Sequence, residues 1–220
     1  MTESHLPQPL PEEPFALFAH WFAEAERERL QPNPNAMVLA TVDGQGMPAA
    51  RIVLCKEIQV SPGYLVFFTN YLSAKGKELE LQPRAAVVFH WDALHRQVRM
   101  TGRVVKSPAS ESENYFARRP VASRIAAWAS RQSQPLSSRE QLAAQVEQVE
   151  ARFGVRSDAT QGHLPRPPHW GGYRLWPETV ELWMEGANRV HDRAQWMRTL
   201  TPSDAVSFIG GGWTATRLNP

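Results

Sequence analysis

This 220-residue chain has little cysteine, little lysine and a small net charge. A single cysteine, Cys55, excludes an intramolecular disulfide framework. A formal net charge of +2 is too small for the strong basic field that nucleic-acid-binding proteins usually carry. No apolar run approaches the roughly 20 residues that span a bilayer, and the N-terminus lacks the basic start and apolar stretch of a secretory signal. We therefore expect a cytoplasmic protein with no nucleic-acid or membrane partner.

Metal and nucleotide motifs are missing as well. Seven histidines show no tight metal-ligand spacing, so we expect no metal site. The pattern Gly44-x-Gly46-x-x-Ala49 superficially matches a dinucleotide-binding loop. Pro48 and the β-branched run 51–53 stand where that loop needs a helix, which favours a hairpin turn instead.

What the chain does contain is arginine. Of its 24 basic residues, four are lysine and 20 are arginine. A guanidinium suits bidentate recognition of phosphate or carboxylate. A genome that favours arginine codons gives the same excess, so the functional question is whether arginines stand where an anion needs them.

The hydrophobic pattern predicts a mainly β domain with peripheral helices. An amphipathic helix over 15–30 precedes five short strands that occupy about 70 residues. The strands are predicted at 36–42, 51–56, 64–69, 85–91 and 97–106. This spacing is typical of an antiparallel barrel or sandwich, not of alternating βαβ units. Residues 1–14, rich in proline and glutamate, are predicted to form a mobile tail before a single domain over 15–220.

Further elements follow from capping and turn signals. Ser73 is predicted to cap a helix that ends at Leu81. Helices are predicted at 111–118 and 138–153, the second opened by a capping box of Ser137 and Glu140. We expect a hairpin around Pro177, formed by 172–176 and 179–184, and a last strand pair, formed by 195–198 and 213–218.

Cations and hydroxyls stand at several predicted strand ends. Arg51 and Lys56 are five residues apart, so they face opposite sides of a strand unless a bulge intervenes. Thr69, Ser73 and Lys75 surround a helix N-terminus and could cradle a phosphate. A capping serine beside a solvated lysine is the simpler interpretation.

The densest cluster is Arg189-Val-His191-Asp-Arg193. On an extended segment, residues 189, 191 and 193 share one face, where the two guanidiniums and the imidazole repel each other unless an anion lies between them. A charged hairpin edge, with Asp192 and Glu185 as ion-pair partners, explains the pattern equally well.

Several ordered segments of the chain resemble the pyridoxine/pyridoxamine 5′-phosphate oxidase family, FMN-dependent enzymes of vitamin B6 metabolism. The matching segments are RIVLCK (51–56), FFTNYLSAKGKEL (67–79), LHRQVRMTG (94–102), YFARRPVASRIAAWASRQS (115–133), PRPPHWGGYRLWP (165–177), ELWMEGANRVHDR (181–193) and WTATRLNP (213–220). The resemblance covers about residues 15–220. It implies an FMN-binding split β-barrel and a homodimer with FMN at the interface.

The resemblance also implies roles for individual residues. FMN contacts are expected from Arg51, Ile52, Val53, Leu54, Cys55, Lys56, Phe68, Thr69, Lys75, Gln97, Gln132, Ser133, Trp183 and Arg193. Substrate binding is expected from Lys56, Tyr115, Arg119, Ser123, Arg189 and His191, and the last two are the expected catalytic residues. Ser73 stays a helix cap in this scheme.

The implied activity is oxidation of pyridoxine and pyridoxamine 5′-phosphates to pyridoxal 5′-phosphate by O₂, releasing H₂O₂, and NH₃ from the amine. Two alternatives remain open: a related flavin oxidase of another ring compound, as in phenazine biosynthesis, and a non-catalytic module that binds flavin or pyridoxal phosphate. Tyr115, Arg119 and Ser123 favour a phosphate-bearing substrate, whereas Arg189 and His191 favour catalysis.

The sequence departs from the family pattern at a few positions. Ala74 stands where many members have arginine beside the lysine, so one FMN-phosphate contact is missing or replaced. Arg124 stands after Ser123 where glutamine is common. The N-terminal segment lacks the basic and tyrosine residues that help cover the active site in some members.

Overall fold

The structure, a computed structural model, describes residues 5–220 of the chain. These residues contain five α-helices and ten strands. The helices are α1 (Phe15–Glu28), α2 (Ala74–Leu81), α3 (Ala109–Ala117), α4 (Val121–Ala129) and α5 (Arg139–Phe153). The strands are β1 (Ala36–Val42), β2 (Pro48–Gln59), β3 (Tyr64–Asn70), β4 (Arg84–Trp91), β5 (Arg96–Lys106), β6 (Trp170–Met184), β7 (Asp192–Met197), β8 (Leu200–Pro202), β9 (Phe208–Gly210) and β10 (Thr214–Leu218). None of these helices has the length and apolar character needed to cross a membrane.

Six of the strands close into an antiparallel barrel. Their order is β6-β3-β2-β1-β4-β5, and β5 pairs back onto β6 to complete the ring. Beyond the barrel, β7 pairs with the second half of β6, and β10 pairs with β7. The predicted barrel with peripheral helices and the predicted last strand pair are therefore confirmed.

The barrel interior is filled by alternate residues of its strands, as the period of two dictates. Along β1, Met37 and Leu39 are fully buried while their neighbours are partly exposed. Helix α1 lays its apolar stripe over the barrel, and the ring of the fully buried Phe18 lies 5.3 Å from that of Phe89. A smaller apolar cluster around Phe116 and Trp170 joins α3 and α4 to the barrel wall.

The hairpin predicted around Pro177 is wrong, because β6 runs through it as one strand of 15 residues. The ladder with β5 shifts register here: Thr101 pairs with Thr179, but Gly102 pairs with Pro177, which leaves Glu178 as the extra residue of a bulge. Proline is tolerated in a strand at a bulge. Gly102 is required opposite it, since a Cβ there would lie 2.0 Å from the Trp176 carbonyl oxygen.

Three features of the helices also differ from the prediction. Helix α4 was not predicted, although Pro120 immediately precedes it, where proline is well suited to open a helix. The cap of α5 is Ser138 rather than Ser137, and its hydroxyl accepts from the Gln141 backbone N–H at 3.2 Å. Helix α1 ends at Glu28, two residues earlier than predicted.

Residues 5–14 lie against β7 and β10. The buried Leu6 donates its backbone N–H to the Asp192 carboxylate at 2.8 Å, and the Trp196 indole donates to the Pro11 carbonyl at 2.8 Å. These contacts hold residues 5–14 to the sheet, whereas their composition predicts a mobile tail. The first four residues of that predicted tail lie outside the described residues.

We predict that the barrel core is sensitive to truncation at Leu39. The change Leu39→Ala removes a fully buried side chain and leaves a cavity, so the free energy of unfolding should fall by about 2–5 kcal/mol. Leu81→Ala is the matched control, because Leu81 is 65% exposed and its loss should cost less than about 0.5 kcal/mol. Urea denaturation of both variants makes the comparison, and equal losses would contradict the assignment of the core.

Candidate functional site

A cavity of about 250 Å³ opens where β2, β3 and α3 meet. Its lining combines apolar strand residues, stacked aromatic rings and three cations. These residues are Ile52, Val53, Leu54, Lys56, Phe68, Thr69, Lys75, Tyr115, Arg119, Gln132 and Trp170. None of the described lining residues is acidic, so the cavity is suited to an anion.

Lys56 lines the cavity together with Ile52 and Leu54. These three residues occupy alternate positions of β2, so they share one face of the strand, whereas Arg51 is not in the lining. The ladder with β3 shifts register at this point: Cys55 pairs with Phe67 and Glu57 pairs with Val66, so Lys56 is the extra residue of a bulge. The placement of Lys56 follows from the regular alternation of the strand.

Three aromatic rings form a parallel stack along the cavity wall. The Phe68 and Tyr115 ring centroids are 4.0 Å apart with an angle of 11° between the planes, and the nearly parallel Trp170 ring lies 5.5 Å from Phe68 and 6.2 Å from Tyr115. The Arg119 guanidinium lies over the Trp170 ring, 4.7 Å from its centroid. The stack fixes Arg119 through a cation–π contact. Trp170 was not assigned to the site from sequence, although it directly precedes a glycine pair in one of the matching segments.

Arg119 is a half-buried cation of the cavity and has no ion pair among the described residues. Burial lowers the pKa of its guanidinium below the ordinary value, and the neighbouring Tyr115 hydroxyl opposes that effect. Its Nη1 atom is buried and makes no hydrogen bond. A buried donor without a partner costs free energy, and an anionic ligand in the cavity would supply the missing acceptor.

Lys75 is in the first turn of α2, as the sequence predicts. Its ammonium donates to the Gln132 side-chain oxygen at 2.9 Å, and the same oxygen accepts from the Thr69 hydroxyl at 3.3 Å. The Ser73 hydroxyl caps the helix by accepting from the Gly76 N–H at 3.3 Å. Burial lowers the pKa of Lys75, and the positive charge of Arg51 lowers it further.

Arg51 lies behind the cavity rather than in its lining. Its guanidinium pairs with the Glu78 carboxylate at 2.9 Å and donates to the Thr41 hydroxyl and the Leu39 carbonyl. Glu78 is nearly buried, so this ion pair is shielded from solvent. The neighbouring Cys55 faces the barrel core, where burial raises the pKa of its thiol to about 12.

A second group of predicted site residues gathers at the far end of β6. Gln97 pairs with Trp183 across β5 and β6, and Trp183 pairs with Arg193 across β6 and β7. The His191 ring centroid lies 4.7 Å from that of Trp183. The His191 Nδ1 atom accepts from the Gly186 backbone N–H at 3.2 Å, which leaves Nε2 as the protonated nitrogen of the neutral ring.

The expected alternation of Arg189, His191 and Arg193 along one strand is wrong. Arg189 ends a short helical turn, Ala187–Arg189, with φ at +65°, a conformation that non-glycine residues rarely adopt. Arg193 is the second residue of β7 and forms an ion pair of 2.9 Å with the buried Glu181. Arg189 is exposed and has no ion pair among the described residues.

The ion-pair partners suggested for a charged hairpin edge are also wrong. Asp192 pairs with Arg217, and Glu185 pairs with His95. Neither carboxylate neutralises a cation of the 189–193 cluster. Glu181 neutralises Arg193 instead. This pair was not predicted, because the register of β6 against β7, and not sequence proximity, brings the two residues together.

One chain does not bring the two groups together. Phe68 of the cavity pairs with Gly172, and Gln97 of the second group pairs with Trp183. Gly172 and Trp183 are eleven residues apart on β6, which corresponds to roughly 35 Å of extended strand. Two other predicted residues join neither group: Ser123 lies half-buried on α4, and Ser133 occupies a turn with φ at +68°.

The chain resembles known proteins over almost its full length. Residues 22–153 match the family described as "Pyridoxamine 5'-phosphate oxidase", and residues 170–220 match "Pyridoxine 5'-phosphate oxidase C-terminal dimerisation region". The chain is 48% identical over 208 residues to the pyridoxine/pyridoxamine 5'-phosphate oxidase of Burkholderia orbicola (94% of this chain and 89% of that protein). It is 49% identical over 207 residues to the Burkholderia thailandensis protein of the same name, with the same coverage.

Solved structures show the same fold. The crystal structure of PhzG from Burkholderia lata 383, in complex with tetrahydrophenazine-1-carboxylic acid, matches with a TM-score of 0.81 at 31% identity over 96% of this chain and 94% of that one. A pyridoxamine 5'-phosphate oxidase-related, FMN binding protein from Nostoc punctiforme matches with a TM-score of 0.66 at 18% identity, over 94% of this chain and 98% of that one.

We predict that Lys75 makes stability depend on pH in protein freed of ligands. Its pKa in the folded state lies below the ordinary value of 10.5, so between these two values the unfolded chain binds more protons. The wild type should therefore gain stability relative to Lys75→Met as the pH rises from 8 to 10. Denaturant titrations at both pH values measure this difference. Lys77→Met, which removes an exposed lysine of the same helix, is measured alongside as the control for loss of a positive charge. A pH-independent gap for Lys75→Met would contradict the burial of its charge.

Proposed function

The chain belongs to the pyridoxamine 5′-phosphate oxidase family, and from that premise we propose that it oxidises pyridoxine 5′-phosphate and pyridoxamine 5′-phosphate to pyridoxal 5′-phosphate in the cytoplasm. The reaction is FMN-dependent, with O₂ as acceptor and release of H₂O₂, and of NH₃ from the amine. The observation that carries this proposal is the small cavity with three cations, a stack of aromatic rings and no acidic residue among those that the structure describes.

The substrate phosphate is held by Lys56, Tyr115 and Arg119. A phosphate monoester carries close to two negative charges, which matches an ammonium and a guanidinium in one apolar-walled cavity. The unpartnered Nη1 of Arg119 finds its acceptor in a phosphate oxygen. The Trp170 ring beneath Arg119 holds the guanidinium in place, so little side-chain entropy is lost on binding.

The same region fits FMN. Lys75 is a partly desolvated cation beside a helix N-terminus, and its present partners are the neutral oxygens of Gln132 and Ser73 rather than a carboxylate. An anionic cofactor would compensate this charge, so Thr69, Lys75 and Gln132 would hold FMN together with the strand 52–54. When bound, FMN supplies the hydride acceptor that O₂ reoxidises.

Arg189 and His191 act on the reacting end of the substrate. Arg193 is neutralised by Glu181, so Arg189 is the cation of the motif that is free to stabilise charge that develops on the substrate. His191 is oriented by the Gly186 N–H and by Trp183, and its Nε2–H can donate a hydrogen bond to the substrate or assist a proton transfer.

A complete active site requires two chains in this proposal. The cavity and the Arg189–His191 motif lie at opposite ends of β6, and residues 170–220 match a dimerisation region. Each site of the homodimer therefore takes its cavity from one protomer and its motif from the partner. The exposed side chain of Ile52, at the mouth of the cavity, is available for such a contact.

A second candidate function is oxidation of another ring compound. It is favoured by the structural likeness to PhzG, whose complex contains tetrahydrophenazine-1-carboxylic acid. A guanidinium binds a carboxylate as readily as a phosphate, so charge alone does not separate the two substrates. The higher identity to the pyridoxine/pyridoxamine 5'-phosphate oxidases, 48% against 31%, favours the B6 vitamers.

The activity itself is the first test. We expect the purified protein to bind FMN, to be yellow, and to produce H₂O₂ and pyridoxal 5′-phosphate when either phosphorylated vitamer is added in air. The measurement is the visible spectrum followed by a peroxide assay. A flavin-loaded protein that is inert with both vitamers but oxidises tetrahydrophenazine-1-carboxylic acid would establish the second candidate instead.

Arg119→Ala tests the phosphate contact. We expect KM for pyridoxine 5′-phosphate to rise by at least tenfold, since a charge-assisted hydrogen bond to a buried guanidinium contributes about 1.5–3 kcal/mol. FMN affinity, measured by flavin fluorescence, should stay the same. Arg27→Ala, which removes an exposed arginine of α1, serves as the control for loss of a positive charge. Loss of FMN with unchanged KM would assign Arg119 to the cofactor instead.

A further inference from the structure

The turn that joins β6 to β7 carries Arg189 and His191, and its backbone is strained. Asn188 and Arg189 follow one another with φ at +55° and +65°, in the left-handed region that non-glycine residues rarely adopt. Residues persist in this region where the surrounding structure holds them there. Residues 187–190 are all exposed, so packing contributes little of that restraint. Specific hydrogen bonds must therefore hold the turn.

Two hydrogen bonds close the turn on itself. The Val190 N–H donates to the Ala187 carbonyl at 3.0 Å, and the Gly186 N–H donates to His191 Nδ1 at 3.2 Å. Glycine is required at position 186, since a Cβ there would lie 1.8 Å from the Val190 carbonyl oxygen. These bonds shape the turn internally, but neither of them fixes its position relative to the barrel.

The turn is joined to the barrel one residue earlier, at Glu185. Its backbone N–H donates to the His95 carbonyl at 2.9 Å, and its carboxylate pairs with the His95 imidazole. An ionised carboxylate only accepts hydrogen bonds, so His95 Nδ1 carries the proton of this contact. His95 therefore holds Glu185 through both main chain and side chain, directly before the glycine whose N–H orients His191.

His95 itself stands on an anchored part of the barrel. It follows the short helical turn Asp92–Leu94 and has φ at +55°, a conformation in which histidine is more frequent than most residues. The next residue, Arg96, is 2% exposed and pairs with the Glu24 carboxylate of α1. The contact between His95 and Glu185 thus connects an anchored turn to a strained one.

We propose that His95 is a positioning residue of the oxidase: through Glu185 it holds the strained turn so that Arg189 and His191 face the reacting end of the substrate. This role rests on the proposed function, which makes those two residues the catalytic pair. The side chains of His95 and Glu185 are 69% and 52% exposed, so loss of their contact should slow the reaction a fewfold without abolishing it.

Steady-state kinetics of the FMN-loaded protein test the role. His95→Gly removes the imidazole without penalising the left-handed backbone, and Glu185→Met removes the acceptor at similar length. We expect each variant to lower kcat for pyridoxine 5′-phosphate two- to fivefold. KM should stay within twofold of the wild type, because the phosphate contacts come from the cavity at the other end of β6. The double variant should be no slower than the slower single variant, because the two residues act as one pair.

Two further variants separate positioning from a general loss of stability. His95→Asn keeps an N–H donor on Cγ and tolerates the left-handed backbone, so it should restore the wild-type kcat. His20→Asn removes an exposed imidazole of α1 and should leave kcat unchanged.

The ring of His191 gives a readout that involves no turnover. The ¹⁵N chemical shifts of histidine-labelled, FMN-loaded protein should show the Nε2–H tautomer of His191 in the wild type, since Nδ1 accepts from Gly186. In His95→Gly and Glu185→Met these shifts should move toward a mixture of tautomers. His191→Asn identifies the signal by its disappearance.

Either of two results would overturn the role of His95. One is a wild-type kcat in both His95→Gly and Glu185→Met, and the other is a lowered kcat with unchanged His191 shifts, which would make the contact merely structural. Failure of the proposed function is distinguishable, because the wild type would then not oxidise either vitamer while the His191 shifts still report on the contact.

Discussion

Closure of the barrel by the pairing of β5 with β6 is the constraint on which the site depends. β5 has 11 residues and β6 has 15, so β6 extends beyond the ring, and its second half also carries β7 and, through it, β10. The bulge at Glu178 lets the strand continue past Pro177. This one long strand holds the cavity at one end and the Arg189–His191 motif at the other. Our view of the protein as a dimeric enzyme follows from that separation.

The electrostatics of the chain divide its cations into two kinds. Arg51 and Arg193 are neutralised by buried glutamates, which suits side chains that hold structure together or steer a neighbour. Arg119 and Lys75 are partly desolvated and have no carboxylate partner among the described residues. Uncompensated charge of this kind lowers the stability of the ligand-free protein and is typical of a binding site. Most of the 20 arginines need no functional explanation. The few that do have no carboxylate partner among the described residues.

The sequence predicted the local elements well because their signals are local. Ser73 caps α2 as expected, since a capping serine is read from three or four neighbouring residues. Pro177 misled the strand prediction, because a proline at a bulge is tolerated only through Gly102 on another strand. The bulge at Lys56 is likewise visible only in the pairing of β2 with β3. The distance between the two halves of the site is a property of strand register, which periodicity cannot give.

The shared active site is tested most directly by mixing two impaired chains and assaying them at pyridoxine 5′-phosphate concentrations well below the wild-type KM. Arg119→Ala damages only the cavity, and Arg189→Ala damages only the motif, so a mixed dimer carries one intact site and one doubly damaged site. Co-expression of the two chains with different purification tags gives random assortment, in which half of the dimers are mixed. The account predicts recovery of about a quarter of the wild-type oxidase activity with pyridoxine 5′-phosphate, well above that of either parent. Activity no higher than that of the parent dimers would contradict a site built from two chains.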